Sequence, residues 1–100
     1  MALLFQTTIT TPEGIAVENA YGRVAVINNV QGNAVEAFVN IYASEAAFEN
    51  GSSPIFPIEM TLGGSTPYDY ATGEKDILDL GHDICISVLA QQGVTAVKSL

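Results

Sequence analysis

Two stretches of alternating hydrophobic and polar positions dominate the first half of the chain, from Tyr21 to Ala43. The first reads YGRVAVINNV and the second AVEAFVNIYA, and Gln31-Gly32-Asn33 separates them. Both are rich in β-branched and aromatic residues, and Gly-Asn supplies the left-handed backbone that a tight reversal needs. The pattern predicts a long β-hairpin.

The alternation divides the hairpin into two faces. On the second strand the predicted core face carries Val35, Ala37, Val39, Ile41 and Ala43. The other face is mixed, with Phe38 and Tyr42 beside Glu36 and Asn40, and Arg23 on the matching face of the first strand. Because both strands carry apolar residues on both faces, we expect a helix or another subunit to cover the second face.

Short elements are predicted around the hairpin. They are a first strand over Leu3–Thr10, a short extension or a strand fragment over Ile15–Asn19, one helical turn over Glu45–Glu49, and an edge strand over Pro54–Leu62. Thr11-Pro12-Glu13-Gly14 is a turn signal, and Asn50-Gly51 ends the helical turn. The run Gly63-Gly64-Ser65-Thr66-Pro67 predicts a flexible loop.

The last quarter of the chain fits a helix better than a strand. Ile77, Leu80, Ile84 and Val88 recur at helical spacing, which predicts a helix over Lys75–Gln91 and then a closing strand over Val94–Ser99. Against the helix, residues 84–88 also alternate, and Gly81 costs about 1 kcal/mol relative to alanine. We therefore predict one α+β domain over residues 1–100, with an antiparallel sheet of four to five strands and one helix in the C-terminal half. An all-β sandwich is the alternative.

Composition points to surface contacts rather than catalysis. The chain is 48% hydrophobic and only 14% charged, an excess of apolar surface that predicts a homo-oligomer or another protein partner. The net charge is −8, with Arg23, Lys75 and Lys98 the only basic residues, which argues against binding to nucleic acid or to an anionic membrane. We expect synthesis in the cytoplasm, because the sequence shows neither a signal peptide nor a membrane span.

Candidate chemistry is sparse, and we predict no enzyme, no cofactor and no metal site. Five acidic residues crowd one segment and predict a solvated face: Asp69, Glu74, Asp76, Asp79 and Asp83. His82 is predicted to be a surface or capping residue, and its pairing with Asp79 is the only hint of a hydrolase or isomerase. The single cysteine, Cys85, lies among aliphatic residues and is predicted to belong to the core.

The segment TITTPEGIAVENAYGRV, residues 8–24, resembles the start of short proteins of tailed bacteriophages. The resemblance continues through the hairpin and the late helical segment, so it covers most of the chain. It implies no catalytic residues. It implies a virion structural protein, tail- or tail-fibre-associated, that is made in the host cytoplasm and binds copies of itself and neighbouring virion proteins.

The predicted interface is the mixed face of the hairpin, carried by Arg23, Phe38, Asn40 and Tyr42. Two alternative functions are a head decoration (cement) protein and a host glycan-binding module of a tail fibre. The glycan-binding module would use a loop with aromatic rings beside an acid: Tyr68, Asp69 and Tyr70.

Overall fold

A computed structural model describes residues 2–55, 61–73 and 76–99 as an α+β fold. The elements are β1 Ala2–Phe5, β2 Ile9–Thr10, β3 Ala16–Val17, β4 Tyr21–Asn29, β5 Ala34–Tyr42, α1 Glu45–Glu49, β6 Gly63–Pro67, α2 Ile77–Gln91 and β7 Ala96–Ser99. Five strands form a curled antiparallel sheet in the order β6-β5-β4-β1-β7, and β2 pairs with β3 separately. The predicted fold class is confirmed.

The predicted hairpin is β4 and β5, paired without interruption from Tyr21–Tyr42 to Asn29–Ala34. In the connecting residues 30–33 the left-handed position is Asn33, with φ of 49°. The Gly32 N–H donates to Oδ1 of Asn29 and closes the turn from within.

Helix α2 packs against one face of the sheet, called the inner face, and forms the core with it. The core side chains that are fully buried include Leu3, Phe5, Val35, Val39, Ile41, Cys85 and Leu89. The predicted core face of β5 is confirmed from Val35 to Ile41. Ala43 was wrongly included, because β5 ends at Tyr42 and Ala43 is exposed.

Gly81, which is unfavourable in a helix, allows α2 to approach the sheet closely. A Cβ on Gly81 would lie 2.5 Å from Cγ2 of Val26 on β4. The helix begins at an Asp76 N-cap, whose carboxylate accepts from the Leu78 N–H, and Gly93 follows its end with φ of 80°. The predicted helix and the closing strand β7 are both confirmed.

The predicted helical turn is also present as α1. Ser44 caps it by accepting a hydrogen bond from the Ala47 N–H, and Gly51 follows with φ of 77°. An exposed segment of five residues is too short to be stable alone, so its packing on the sheet holds it in place.

The prediction of one strand over Leu3–Thr10 is wrong, because the chain leaves the main sheet after Phe5. The Gln6 N–H still donates to the Thr95 carbonyl, and Oγ1 of Thr7 accepts from the Thr95 N–H. The Thr7 side chain thus accepts the hydrogen bond that a backbone carbonyl would accept if the strand continued. Ile9 then pairs with Val17 in the two-stranded sheet.

The prediction of a flexible loop at residues 63–67 is also wrong, because these residues form β6 at the edge of the sheet. A Cβ on Gly63 would lie 2.8 Å from the Ala37 carbonyl, and one on Gly64 would lie 2.8 Å from Cγ2 of Val88. The glycines therefore allow close packing rather than mobility.

The predicted edge strand over Pro54–Leu62 lies largely outside the described residues, which omit 56–60. At its start, the Ile55 N–H donates to the Ile41 carbonyl in an isolated bridge.

Candidate functional site

The sheet surface turned away from α2 is the candidate site, and we call it the outer face. Strand register and alternation place on it, within the described strands, Ala2, Leu4, Tyr21, Arg23, Ala25, Ile27, Asn29, Ala34, Glu36, Phe38, Asn40, Tyr42, Gly63, Ser65, Pro67, Val97 and Ser99. All four predicted interface residues lie on this face, because Arg23 pairs with Asn40, Ala25 with Phe38, and Tyr21 with Tyr42.

Four large apolar side chains on the outer face are exposed. Ile27 is 50% exposed, Phe38 and Leu4 are each 40% exposed, and Val97 is 38% exposed. Leu4 and Val97 are cross-strand partners on β1 and β7, and Phe38 and Ile27 occupy adjacent rows of the hairpin. The four form two separate pairs, because Leu4 lies beside Tyr21 at the opposite end of β4 from Ile27. Exposed apolar side chains on one sheet face are typical of a contact surface.

The outer face is electrically balanced although the chain is strongly acidic. Of the outer-face positions in the described strands, only Arg23 and Glu36 carry charge, whereas the whole chain has a net charge of −8. The two charges lie in the rows on either side of the Ala25–Phe38 pair. The strand positions of this face are therefore nearly neutral and offer little repulsion to another acidic surface, except at the end covered by α1, where Glu45 and Glu49 are exposed.

Helix α1 covers one end of the outer face. The Phe48 ring centroid lies 5.6 Å from that of Tyr21 and 4.9 Å from that of Tyr42. The guanidinium carbon of Arg23 lies 4.9 Å from the Phe48 centroid, and its Nη1 donates to the Tyr21 hydroxyl at 3.2 Å. Intramolecular contacts thus hold Arg23 and Tyr42, while Phe38 remains strongly exposed.

The second candidate loop, Tyr68-Asp69-Tyr70, braces the hairpin. The two tyrosine rings meet edge to face with centroids 4.9 Å apart, and the Tyr70 hydroxyl donates to the Ala34 carbonyl at 2.8 Å. The Asp69 carboxylate accepts from the Ala71 N–H and the Thr72 hydroxyl, which lower its pKa. Each of the three residues has a structural role, and glycan binding by this loop stays a prediction.

The acidic stripe on α2 is more than a solvated face, because Lys98 on β7 bridges two of its carboxylates. Lys98 Nζ lies 2.6 Å from Asp79 Oδ1 and 2.7 Å from Asp83 Oδ1. Hydrogen bonds to Asp79 and then Asp83 raise the pKa of Lys98. No local pattern around Asp79 and Asp83 indicates this cluster, since Lys98 lies on another element.

His82 is buried, so its prediction as a surface or capping residue is wrong. Its Nδ1 lies 2.7 Å from the Leu78 carbonyl oxygen, which only accepts, so Nδ1 carries the proton and donates. Nε2 is buried without a hydrogen-bond partner among the described residues. The contact of Asp79 is with Lys98, whereas that of the His82 ring is with the Leu78 carbonyl.

Cys85 is fully buried, as predicted. Burial raises the pKa of its thiol to about 11. A thiol with so high a pKa is unreactive at neutral pH.

No group of three or more His, Cys, Asp or Glu side chains in the described ranges could hold a metal ion. None of the helices within those ranges has the length and apolar character to cross a membrane. Comparison with protein-family models, curated proteins and solved structures finds no match to this chain.

Proposed function

We propose that the protein is a structural component of a bacteriophage particle, tail- or tail-fibre-associated, that assembles with itself and with neighbouring virion proteins through the outer face. The concentration of exposed apolar side chains on an electrically balanced face is the observation that carries the proposal. The resemblance of residues 8–24 to short proteins of tailed phages supplies the setting, with synthesis in the host cytoplasm and incorporation into the virion.

The exposed apolar area is large enough to matter energetically. Burying the exposed parts of Phe38 and Ile27 would contribute about 2 kcal/mol each, at roughly 25 cal/mol per Å². Two facing copies that also buried Leu4 and Val97 would gain on the order of 15 kcal/mol, against an association cost of about 4–15 kcal/mol. The outer face is therefore suited to contacts of modest affinity, which many copies in a particle would reinforce.

The role of the outer face is tested by measuring molar mass with light scattering over a concentration series. The test variant is Phe38→Asp, and its matched control is Leu78→Asp, because Leu78 is 47% exposed but lies in the first turn of α2, away from the outer face. We expect the native protein and the control to self-associate, and Phe38→Asp to remain monomeric. Equal association of the two variants would refute the assignment of the outer face.

The virion location is tested separately, on purified particles of a phage that encodes this chain. We expect mass spectrometry to find the chain in many copies per particle and immunogold labelling to place it on the tail. Its absence from infectious particles would refute a structural role, whatever its behaviour in solution.

A further inference from the structure

The end of α1 contains the sequence Asn50-Gly51, the only Asn-Gly pair in the chain. Both residues are exposed, and among the described residues no atom lies within 4 Å of the position that a Cβ on Gly51 would take. Because glycine has no side chain, nothing shields its backbone nitrogen from the side-chain amide of the asparagine before it. An exposed Asn-Gly pair is therefore the place where asparagine, a chemically labile residue, most readily loses its amide nitrogen.

In the folded protein a helix cap holds these two residues in a geometry that opposes the reaction. The Gly51 N–H donates to the Phe48 carbonyl at 3.1 Å. The Ser52 N–H donates to the Ala47 carbonyl at 3.0 Å, which completes a Schellman motif with Gly51 at φ of 77°. At Asn50 ψ is 2°, so the Gly51 nitrogen eclipses the backbone nitrogen of Asn50 instead of its Cβ. The nitrogen is therefore turned away from Cγ of Asn50, the carbon that it would attack.

This cap is only as stable as α1, and α1 is a marginal helix. It has five residues, none of them buried, and an isolated helix of this length is unstable. Glu49 lies in its last turn, where the helix dipole disfavours negative charge and where no basic residue is present. The Ser44 N-cap and the ring contacts of Phe48 hold α1 in place. Local opening of such a segment costs less free energy than unfolding of the whole domain.

We propose that Asn50 is a site of spontaneous deamidation and that the opening of α1 controls its rate. When the cap opens, the Gly51 nitrogen loses its proton to hydroxide and forms a bond to Cγ of Asn50. The bond between Cγ and the side-chain amide nitrogen breaks, and this nitrogen takes a proton from water and leaves as ammonia. Water then adds to one of the two carbonyl carbons of the resulting cyclic succinimide and opens the ring. The product is aspartate or isoaspartate, and nothing is oxidised or reduced.

Either product weakens the end of α1. Both place a negative charge beside Glu49, at the end of the helix where the dipole disfavours it. Isoaspartate also leads the main chain through Cβ and Cγ, and the added backbone atom displaces the two N–H groups of the cap. Phe48 then loses its contacts with the two tyrosine rings of the outer face. Deamidation therefore uncovers one end of the outer face, whether or not that face mediates self-association.

The test follows deamidation of the full chain in mildly alkaline water enriched in heavy oxygen. Each succinimide that is hydrolysed takes up one heavy oxygen atom, so mass spectrometry of the derived peptides detects only products formed during the incubation. The same chain unfolded in guanidinium chloride gives the rate without α1. We expect Asn50 to react first in the folded chain, about five- to thirtyfold more slowly than in the unfolded chain.

Two serine variants test the control by α1. Ser44→Ala removes the side chain that caps the helix. It should raise the rate at Asn50 about threefold or more in the folded chain and leave the rate in the unfolded chain unchanged. Ser53→Ala lies at an exposed position beyond the cap and is the matched control, so it should change neither rate.

NMR of the modified chain tests the effect on the outer face. The Phe48 ring shifts the side-chain resonances of Tyr21 and Tyr42, because it lies against both rings. Phe48→Leu removes the aromatic ring but keeps an apolar side chain, so it provides the reference resonances in a folded protein. We expect the tyrosine resonances of the deamidated chain to move toward those of Phe48→Leu.

Equal rates in the folded and unfolded chains, equal rates in the two serine variants, or earlier reaction at another asparagine would overturn the proposal. An intact Asn50 in the folded protein, long after the unfolded chain has reacted completely, would also overturn it. Unchanged tyrosine resonances in the deamidated chain would overturn the uncovering of the outer face.

Discussion

Replacement of Gly81 by alanine should destabilise the protein, although the same change in an isolated helix is stabilising. Gly81 lies within α2, where alanine is favoured over glycine by about 1 kcal/mol. A Cβ at this position would lie 2.5 Å from Cγ2 of Val26, well inside the roughly 3.5–4.0 Å separation of carbon atoms in contact. Either α2 must move away from β4 or the Val26 side chain must leave its place.

The expected magnitude follows from these opposing effects. Inserting a methyl group into a packed core costs about 1–3 kcal/mol, and we expect this cost to exceed the gain in helix propensity. In a domain of this size, each kcal/mol lowers the melting temperature by about 4–8 °C. Gly81→Ala should therefore reduce the free energy of unfolding by up to about 2 kcal/mol.

A double-mutant cycle with Val26→Ala isolates the contact. Val26→Ala removes Cγ2, so Gly81→Ala in that background should be neutral or stabilising by up to about 1 kcal/mol. The free energies of unfolding are measured by urea denaturation of the native chain, both single variants and the double variant. A stabilising Gly81→Ala in the native background, or the same cost in both backgrounds, would refute the argument that glycine is needed for close packing.

Three further predictions concern single groups. His82→Leu should leave the melting temperature unchanged or higher, because it removes a buried unpartnered nitrogen that costs about 1–3 kcal/mol while losing one hydrogen bond of about 1 kcal/mol; a large fall would contradict this. Cys85 should react with a thiol reagent near pH 8 only after denaturation, since burial raises its pKa to about 11, and rapid labelling of the native protein would contradict this. Thr72→Ala should raise the pKa of Asp69, which is measured by NMR titration, and an unchanged titration would contradict the role of Thr72. Because folding lowers this pKa, ionised Asp69 stabilises the folded protein at neutral pH, and this stabilisation is lost as the pH falls through the pKa of Asp69 in the folded protein.

The hairpin and α2 are predictable from sequence because their side chains repeat with a period that identifies a buried face. Val35, Val39 and Ile41 alternate with more polar positions, and their burial follows directly. On α2 the agreement is partial, because of the predicted stripe only Ile84 is buried, whereas Ile77, Leu80 and Val88 are half-buried. The period identified the helix, but the face turned to the sheet also includes His82, Cys85 and Leu89.

Sequence reasoning failed where a residue is determined by a distant partner. Two adjacent glycines favour a loop locally, but Gly63 and Gly64 lie in a strand. Glycine is needed at both positions because Ala37 and Val88 leave no room for a side chain. His82 is polar, yet the helix turns it into the core and satisfies one of its nitrogens with the Leu78 carbonyl. Patterns within a segment contain no information about such close approaches.

The candidate site was only partly predictable, because it also depends on contacts between residues that are distant in the sequence. Alternation identified the outer face and placed Arg23 and Phe38 on it, but it gave no indication that Phe48 of α1 would contact Arg23. A groove of about 270 Å³ between β6 and α2 depends on the position of α2 relative to an edge strand that the sequence presented as a loop. The glycine pair at its start is the one signal that could have suggested close packing there.

The distribution of charge determines how self-association should respond to salt. The strand positions of the outer face carry one positive and one negative side chain, so two copies can approach there despite a net charge of −8 on each. High salt should therefore maintain or strengthen self-association through the outer face, because it screens the repulsion between copies. Dissociation on raising the salt concentration would mean that attraction between charged groups, rather than burial of apolar side chains, holds the copies together.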